Sequence, residues 1–370
     1  MKIRKMKINI LLPHKEKFNT KKASSVSITV KNNLSHTKFL NDIRIFGQDV
    51  ESPLFEQNFI GFKYSILSLK SKNKFLASEM LKVIANETDD NQLIEIHNRP
   101  YLVDVVSKQN KFPIILFFHN DPKKMKGSKS VNERKKLLNK CNYIFCVSNY
   151  IKKLFLEGIT KDANKVQTLY NGVEYKTQKF PIKKKEILFV GRLVPEKGAH
   201  LFVKAMKSIS FSYPNWDFGL IGSIKLGELK NDNSYAQKII SEFTSIGSQA
   251  KFYGFKDQNF VQKKMKTAAI IVIPSIWEEP FGLVAAEAMS NSMCIIASKV
   301  GGIPEIIGDN GILIENINHR KIINSIKPII SNDKMRIDYQ KRAHKNFTFS
   351  SKLSSKRLDG FRKTIFASFD

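Results

Sequence analysis

The chain has 370 residues, 42% hydrophobic and 26% charged, which excludes a disordered polymer and allows about two domains, each with its own core. Sixty-two lysines and arginines face 33 aspartates and glutamates, and the resulting charge of +29 is spread over both halves. It favours anionic partners (nucleotides, nucleic acid or an acidic membrane surface), set against the plainer reading of solvated lysines on every face.

Three cysteines, Cys141, Cys146 and Cys294, form no CxxC pair. They give no disulfide framework or zinc site and fit a reducing compartment. The segment MKIRKMKINILLP is basic, but its apolar stretch is too short for a signal sequence and carries no small-residue cleavage site. No run approaches the roughly 20 apolar residues of a spanning helix, so the expectation is a soluble or peripheral protein.

Short apolar runs bounded by Gly, Pro, Asn or His recur at 7–13, 93–98, 112–120, 143–149 and 166–172. Both faces of each run are apolar, as in buried parallel strands. Helical segments separate them, such as NERKKLLNK (132–140) and NYIKKLFLEG (149–158), the latter capped by Ser148 or Asn149. The polar stretch EYKTQKFPIKKK (174–185) reads as a linker. The alternation then restarts, with strands at 186–192, 216–223, 250–255, 268–275, 294–302 and 311–315. Helices are predicted near 198–212, 235–246, 257–267, 282–291 and 319–331, and residues 335–370 read as polar-amphipathic helix. The expected architecture is α/β, with two Rossmann-like domains facing a cleft: residues 1–176, residues 177–350, and a C-terminal helix over 351–370 that packs back on the first domain.

Two stretches of the second half carry chemistry. In VGRLVPEKGAH (190–200) a strand ends at Val190, Gly191 permits a tight turn, and Arg192 and Lys197 leave on the loop before a helix. Two cations beside a helix N-terminus make a diphosphate site, although pairing of Arg192 with Glu196 would explain the same residues. In WEEPFGLVAAEAM (277–289) two carboxylates, Glu279 and Glu287, flank a Pro-Phe-Gly turn and an apolar helix. Eight residues would span about 12 Å if fully helical. That matches the distance from sugar to ribose in a nucleoside-diphosphate sugar, with the helix N-terminus facing the diphosphate. The capping preference for acidic residues in a first helical turn would account for Glu279 alone.

These segments resemble the E-x7-E motif and its surroundings in retaining glycosyltransferases of the GT-B fold, in particular glycosyltransferase family 4, the glycosyl transferases group 1. LIGS (220–223), FYGF (252–255), PSIWEEPFGLVAAEAM (274–289) and SKVGGIPEII (298–307) fall in the family's order, as do FFHND (117–121), CVSN (146–149) and LYNGVE (169–174). The resemblance is strong over about 140–310. It implies that Glu279 contacts the transferred sugar and Glu287 the ribose. Backbone N–H groups at Phe281, Gly282 and Leu283 would serve sugar and phosphates, and Arg192 and Lys197 would stabilise the leaving diphosphate. It also implies that His119 contacts the acceptor or the transferred sugar, with His97 a second candidate, and that Gly301 and Gly302 line the donor side of the cleft.

On this reading the activity is metal-independent transfer of a hexose from a nucleoside-diphosphate sugar to a surface-polysaccharide or glycolipid hydroxyl, with no cofactor. No DxD-type pair sits at a strand end, since Asp89-Asp90 lie in a polar stretch. Where many members carry a Gly-rich loop, residues 17–27 read KFNTKKASSVS, with Ala23, Ser24 and Ser25 instead of glycines. The basic segments 1–7 and 123–136 suggest peripheral contact with an anionic membrane, placing the protein in the cytoplasm or on the inner membrane face. The rival functions are a GT-B-like nucleotide-sugar binder without turnover and a basic nucleic-acid-binding protein, the latter without any RRM, KH or helix-turn-helix pattern.

Overall fold

Apolar runs of the kind described above need partners on both sides, and the chain supplies them in two separate sheets. The computed structural model describes residues 6–19, 24–64, 71–87, 91–174, 179–223 and 234–368. Two compact units emerge: residues 1–172 together with 351–370, and residues 173–350.

The first unit comprises β1 (Lys7–Leu11), α1 (Ser25–Leu34), β2 (Ile43–Gln48), β3 (Phe59–Phe62), α2 (Lys72–Ala85), β4 (Gln92–His97), α3 (Tyr101–Ser107), β5 (Ile114–Phe118), α4 (Val131–Lys140), β6 (Tyr143–Cys146), α5 (Asn149–Leu156) and β7 (Val166–Thr168). The second comprises β8 (Lys184–Val190), α6 (Ala199–Ile209), β9 (Asp217–Ile221), α7 (Ser234–Thr244), β10 (Ala250–Gly254), α8 (Gln258–Thr267), β11 (Ala268–Ile273), α9 (Leu283–Ser290), β12 (Cys294–Ser298), α10 (Ile303–Ile307), β13 (Ile312–Ile314), α11 (His319–Ser331) and α12 (Asp333–Lys345). The last helix, α13 (Ser351–Ala367), belongs to the first unit. The polar-amphipathic stretch 335–370 thus spans most of α12 and all of α13, one helix in each unit.

Both sheets are parallel. Their orders are β3-β2-β1-β4-β5-β6-β7 and β10-β9-β8-β11-β12-β13. This is the doubly wound arrangement of Rossmann-like domains, and the two units together have the GT-B fold. Every residue of β4, β5, β11 and β12 is buried, which is why those segments read as continuous apolar runs. The linker reading of 174–185 fails at its end. Lys183 is half-buried and donates to the carbonyls of Met265 at 2.9 Å and Asn291 at 2.6 Å, and desolvation lowers its pKa to about 7. The sequence shows no periodicity there because one side chain, not a helical face, makes the contact.

The return helix is held by a buried charge cluster. Arg362 donates to both oxygens of Glu95 on β4, at 2.8 and 2.9 Å, and to Asp359 at 3.1 Å. Asp359 in turn accepts from Thr37 Oγ1 at 2.7 Å and the Lys38 N–H at 2.8 Å. Leu358, Ile365 and Phe366 join the apolar core of the unit, and Phe361 sets its edge against Tyr143 and Phe145. Truncating one member strands the other charge in the interior. Arg362→Ala should therefore destabilise the first unit by about 3–5 kcal/mol, seen as lost hydrogen-exchange protection along β4.

Candidate functional site

Strand order reverses between β1 and β4 in one sheet and between β8 and β11 in the other. At such a switch point the flanking connections diverge to opposite faces, which leaves a crevice outside the carboxyl ends of the strands. The loops after β8 and β11 carry Arg192, Lys197, Glu279 and Gly282. All are residues singled out from sequence.

After β8 the chain runs through an exposed Arg192 into a short 3-10 turn, Pro195–Lys197, and Gly198 then starts α6 at φ +70°. A Cβ on Gly198 would lie 1.9 Å from the carbonyl oxygen of Pro274, so only glycine lets this turn close on the loop after β11. Among the described residues no ion pair holds Arg192; Glu196 is not its partner.

Lys197 reaches the neighbouring loop instead. Its Nζ lies 2.5 Å from Glu279 Oε1 and 5.3 Å from the centre of the Trp277 ring. The same carboxylate oxygen accepts from Ser275 Oγ at 2.7 Å. Glu279 is only 7% exposed, so its charge is met by a cation and a hydroxyl from both sides of the loop. Spacing alone did not reveal Ser275 or Trp277.

The helix between the carboxylates is shorter than the spacing suggests. α9 begins at Leu283, after Gly282 at φ +98°. Glu279 therefore stands on a loop, and the estimate that treats all eight residues as helical does not describe this segment. Loop chemistry accounts for the difference, since a residue at positive φ breaks the helical repeat. The Ala285 and Ala286 N–H groups reach the Gly282 carbonyl at 2.9 and 3.2 Å, which leaves those of Leu283 and Val284 without an acceptor in the helix. Phe281 is buried, with its ring 6.1 Å from that of Phe349.

Gly301 and Gly302 press on this loop. A Cβ on Gly301, at φ +54°, would sit 2.1 Å from the Glu279 carbonyl oxygen, and one on Gly302 would sit 2.7 Å from that of Pro280. The Gly302 N–H donates to the Glu279 carbonyl at 2.7 Å, and the Gly301 N–H to Glu278 Oε2 at 2.5 Å. Their evident work is to hold the carboxylate's backbone.

Glu287 lies in the second turn of α9, 5% exposed, and accepts from Gln258 Nε2 at 2.5 Å. Burial raises its pKa to about 7, and the Gln258 hydrogen bond only partly offsets that. No cation is paired with it among the described residues, unlike Glu279.

In the first unit, β4 and β5 run in register with His97 opposite Phe117. His119, two residues on, shares that face. His97 Nδ1 lies 2.9 Å from His119 Nε2, and the His97 ring stacks on Phe117 at 4.3 Å. Asn98, at φ +57°, accepts the His119 backbone N–H at 3.2 Å. Burial is the main cause that lowers both imidazole pKa values, that of His119 to about 4. Beyond β1, on the other side of the switch point, burial raises Glu16 to about 7 against the opposing pull of Arg99. Glu16 went unnoticed in the sequence because nothing in its spacing marks it.

The loop 17–27 is described only in part, with residues 20–23 outside the described residues, as are Asp89-Asp90 and residues 1–5 of the first basic segment. Ser24 caps α1 by accepting from the Ser27 N–H. The basic segment 123–136 loses two of its cations to the fold. Arg134 is buried and donates to the carbonyls of Phe155, Ser128, Lys129 and Glu157, and Lys123 pairs with Glu157 at 2.8 Å. No helix among the described residues is long and apolar enough to cross a membrane.

Comparison with known proteins agrees with this geometry. Residues 174–346 match the family described as glycosyl transferases group 1. The match covers the second unit, where Lys197, Glu279 and Glu287 lie. An uncharacterized glycosyltransferase of Methanocaldococcus jannaschii is 34% identical over 195 residues, 52% of this chain and 51% of that protein. Spore coat protein SA of Bacillus subtilis is 27% identical over 272 residues, 66% of this chain and 70% of that protein. The chain thus spans about half the length of the first of these relatives. Among solved structures, Anabaena HepE in complex with UDP and glucose superposes with a TM-score of 0.74 at 18% identity, over 97% of this chain and 100% of that one. At that identity the likeness speaks for the GT-B fold alone.

The glycine contacts make a direct stability prediction. Gly301→Ala should cost the second unit roughly 2–3 kcal/mol or more through strain and displacement of the loop. Gly360→Ala should be neutral or slightly stabilising, because it lies in α13 with nothing within 4 Å of its added Cβ. Urea unfolding followed by tryptophan fluorescence reads Gly301→Ala, since both tryptophans, Trp216 and Trp277, are in the second unit, and hydrogen exchange along α13 reads Gly360→Ala in the first.

Proposed function

We propose that the protein is a retaining glycosyltransferase of family 4 type, which moves a hexose from a nucleoside-diphosphate sugar to a hydroxyl of a surface-polysaccharide or glycolipid acceptor. The observation that carries this reading is the Lys197–Glu279–Ser275 cluster at the switch point of the unit that matches the glycosyltransferase family. A carboxylate already neutralised and oriented by a lysine suits the hydroxyls of a sugar, for which it offers acceptors on both oxygens. Arg192 and Lys197 lie on the loop before α6, where positive charge would meet the leaving diphosphate. The first-turn amides of α9, with Phe281, Gly282 and Leu283, serve phosphate and sugar, and Glu287 takes the ribose.

Stabilisation of the leaving group by these side chains and amides gives the reaction a route that needs no metal and no cofactor. In a retaining front-face transfer the departing phosphate accepts the proton of the incoming hydroxyl, and His119 on the first unit acts on the saccharide. The exposed Lys124, Lys126, Lys129, Lys135 and Lys136 remain available for peripheral attachment to an anionic inner membrane face.

Glu279→Ala and Lys197→Ala should each abolish transfer while leaving the fold intact, measured as release of nucleoside diphosphate beside the circular dichroism spectrum. Near wild-type turnover in either would remove the assignment. A thermal-shift panel of nucleotides and nucleotide sugars should single out one donor, since a ligand at 100 times its Kd stabilises by about 2.7 kcal/mol.

Glu287 gives the pH dependence. Its folded pKa of about 7 stands above the ordinary 4.5 of a glutamate, so its contribution to stability is present below pH 4.5 and lost as pH rises through 7. Ribose hydroxyls donate to the ionised form. Donor binding near pH 6.5 should therefore release protons, seen by calorimetry in buffers of different ionisation enthalpy, and Glu287→Gln should abolish the release.

A further inference from the structure

A small cavity lies behind the histidine pair of the first unit. Its volume is about 10 Å³, room for a single water. It is lined by His97, His119, Asn33 and Asn171, among others. Three fully buried side-chain atoms of these residues have no hydrogen-bond partner: His97 Nε2, Asn33 Oδ1 and Asn171 Oδ1. An unsatisfied buried polar atom is costly, so three on residues that line one cavity call for a shared partner.

Two of the three atoms are carbonyl oxygens, which only accept. A molecule that satisfies both must donate twice. A water that does so has only its lone pairs left for the third atom, which must then be a donor. We propose that one ordered water bridges Asn33 Oδ1, Asn171 Oδ1 and His97 Nε2–H, and that His97 is the positioning residue that fixes the tautomer of His119. With its proton on Nε2, neutral His97 has a bare Nδ1, which accepts from His119 Nε2–H across the 2.9 Å contact. His119 is left with an unprotonated Nδ1, which accepts the hydrogen bond of a hydroxyl. Burial, which keeps both rings neutral, is what makes the tautomer the deciding variable. The hydroxyl's identity, a saccharide's, rests on the transferase reading; the direction of the hydrogen-bond chain does not.

The test is long-range ¹H–¹⁵N correlation of the full chain with ¹⁵N-labelled histidine at pH 7.5, the two rings being assigned by His97→Gln and His119→Gln. Both His97 and His119 should show the Nε2–H tautomer. An Nδ1–H form on either ring, or an imidazolium, overturns the proposal. Asn171→Leu removes one acceptor without touching the ring pair and should give His97 a mixture of tautomers, whereas Asn171→Asp should keep the Nε2–H form. An unchanged spectrum in Asn171→Leu overturns the bridge. In transfer assays Asn171→Leu should lower kcat by roughly 10- to 100-fold, the usual range for losing an outer partner that orients a functional ring, with the KM for the donor unchanged. If the tautomers are as stated and no transfer is found with any donor, the transferase reading fails and the positioning role stands.

Discussion

The β11–α9 loop is fixed by backbone contacts that tolerate no Cβ. Gly198 meets the carbonyl of Pro274 from one side, and Gly301 and Gly302 meet those of Glu279 and Pro280 from the other. Gly198 lies on the connection after β8 and Gly301 and Gly302 on the one after β12, so together with the loop they press on, three connections of the second unit are locked at the switch point. The Glu279 side chain then needs little further ordering, and Lys197 and Ser275 supply it. A site held this way meets the charge of its ligand without reorganising, which is where electrostatic stabilisation has most effect.

Environment separates two glutamates that look alike in sequence. Both are nearly inaccessible, but Glu279 faces an ammonium and a hydroxyl, whereas Glu287 faces a neutral amide. Desolvation therefore acts on Glu287 without a compensating charge and moves its pKa to about 7. One carboxylate stays paired, and the other can gain or lose a proton near neutrality. The same logic on the first unit leaves two buried histidines uncharged beside each other: burial disfavours the charged form of both, and His119 and Arg362 add to it at His97.

The second unit was legible almost strand for strand, because β8, β9, β11 and β12 carry apolar runs closed by a Gly, Pro or Ser. In the first unit β2 (IRIFGQ) and β3 (FIGF) escaped notice. Arg44 interrupts β2, and β3 is a half-exposed edge strand of four residues. The candidate residues of the donor side were legible through motif spacing, since spacing reports which loop a residue occupies. What spacing could not report was pairing across loops. Lys197 with Glu279, Glu287 with Gln258 and His97 with His119 are set by sheet order and strand register, which appear only once the chain is folded.

The C-terminal helix links these observations on the first unit. Glu95 and His97 stand two residues apart on β4, so their side chains leave the same face of the sheet. Arg362 of α13 covers that face through Glu95, and Ser354 of the same helix lines the cavity beside His97 while its hydroxyl holds the Tyr170 carbonyl at 2.9 Å. The helix thus closes the apolar core and at the same time supplies part of the burial that keeps the histidines neutral. An ion pair in the interior is weak evidence for stability, since an apolar pair of similar volume often does as well. Its directional contacts to Glu95 and Asp359 instead select one seating of α13. That seating determines what surrounds His97, and therefore which nitrogen of His119 is left to act.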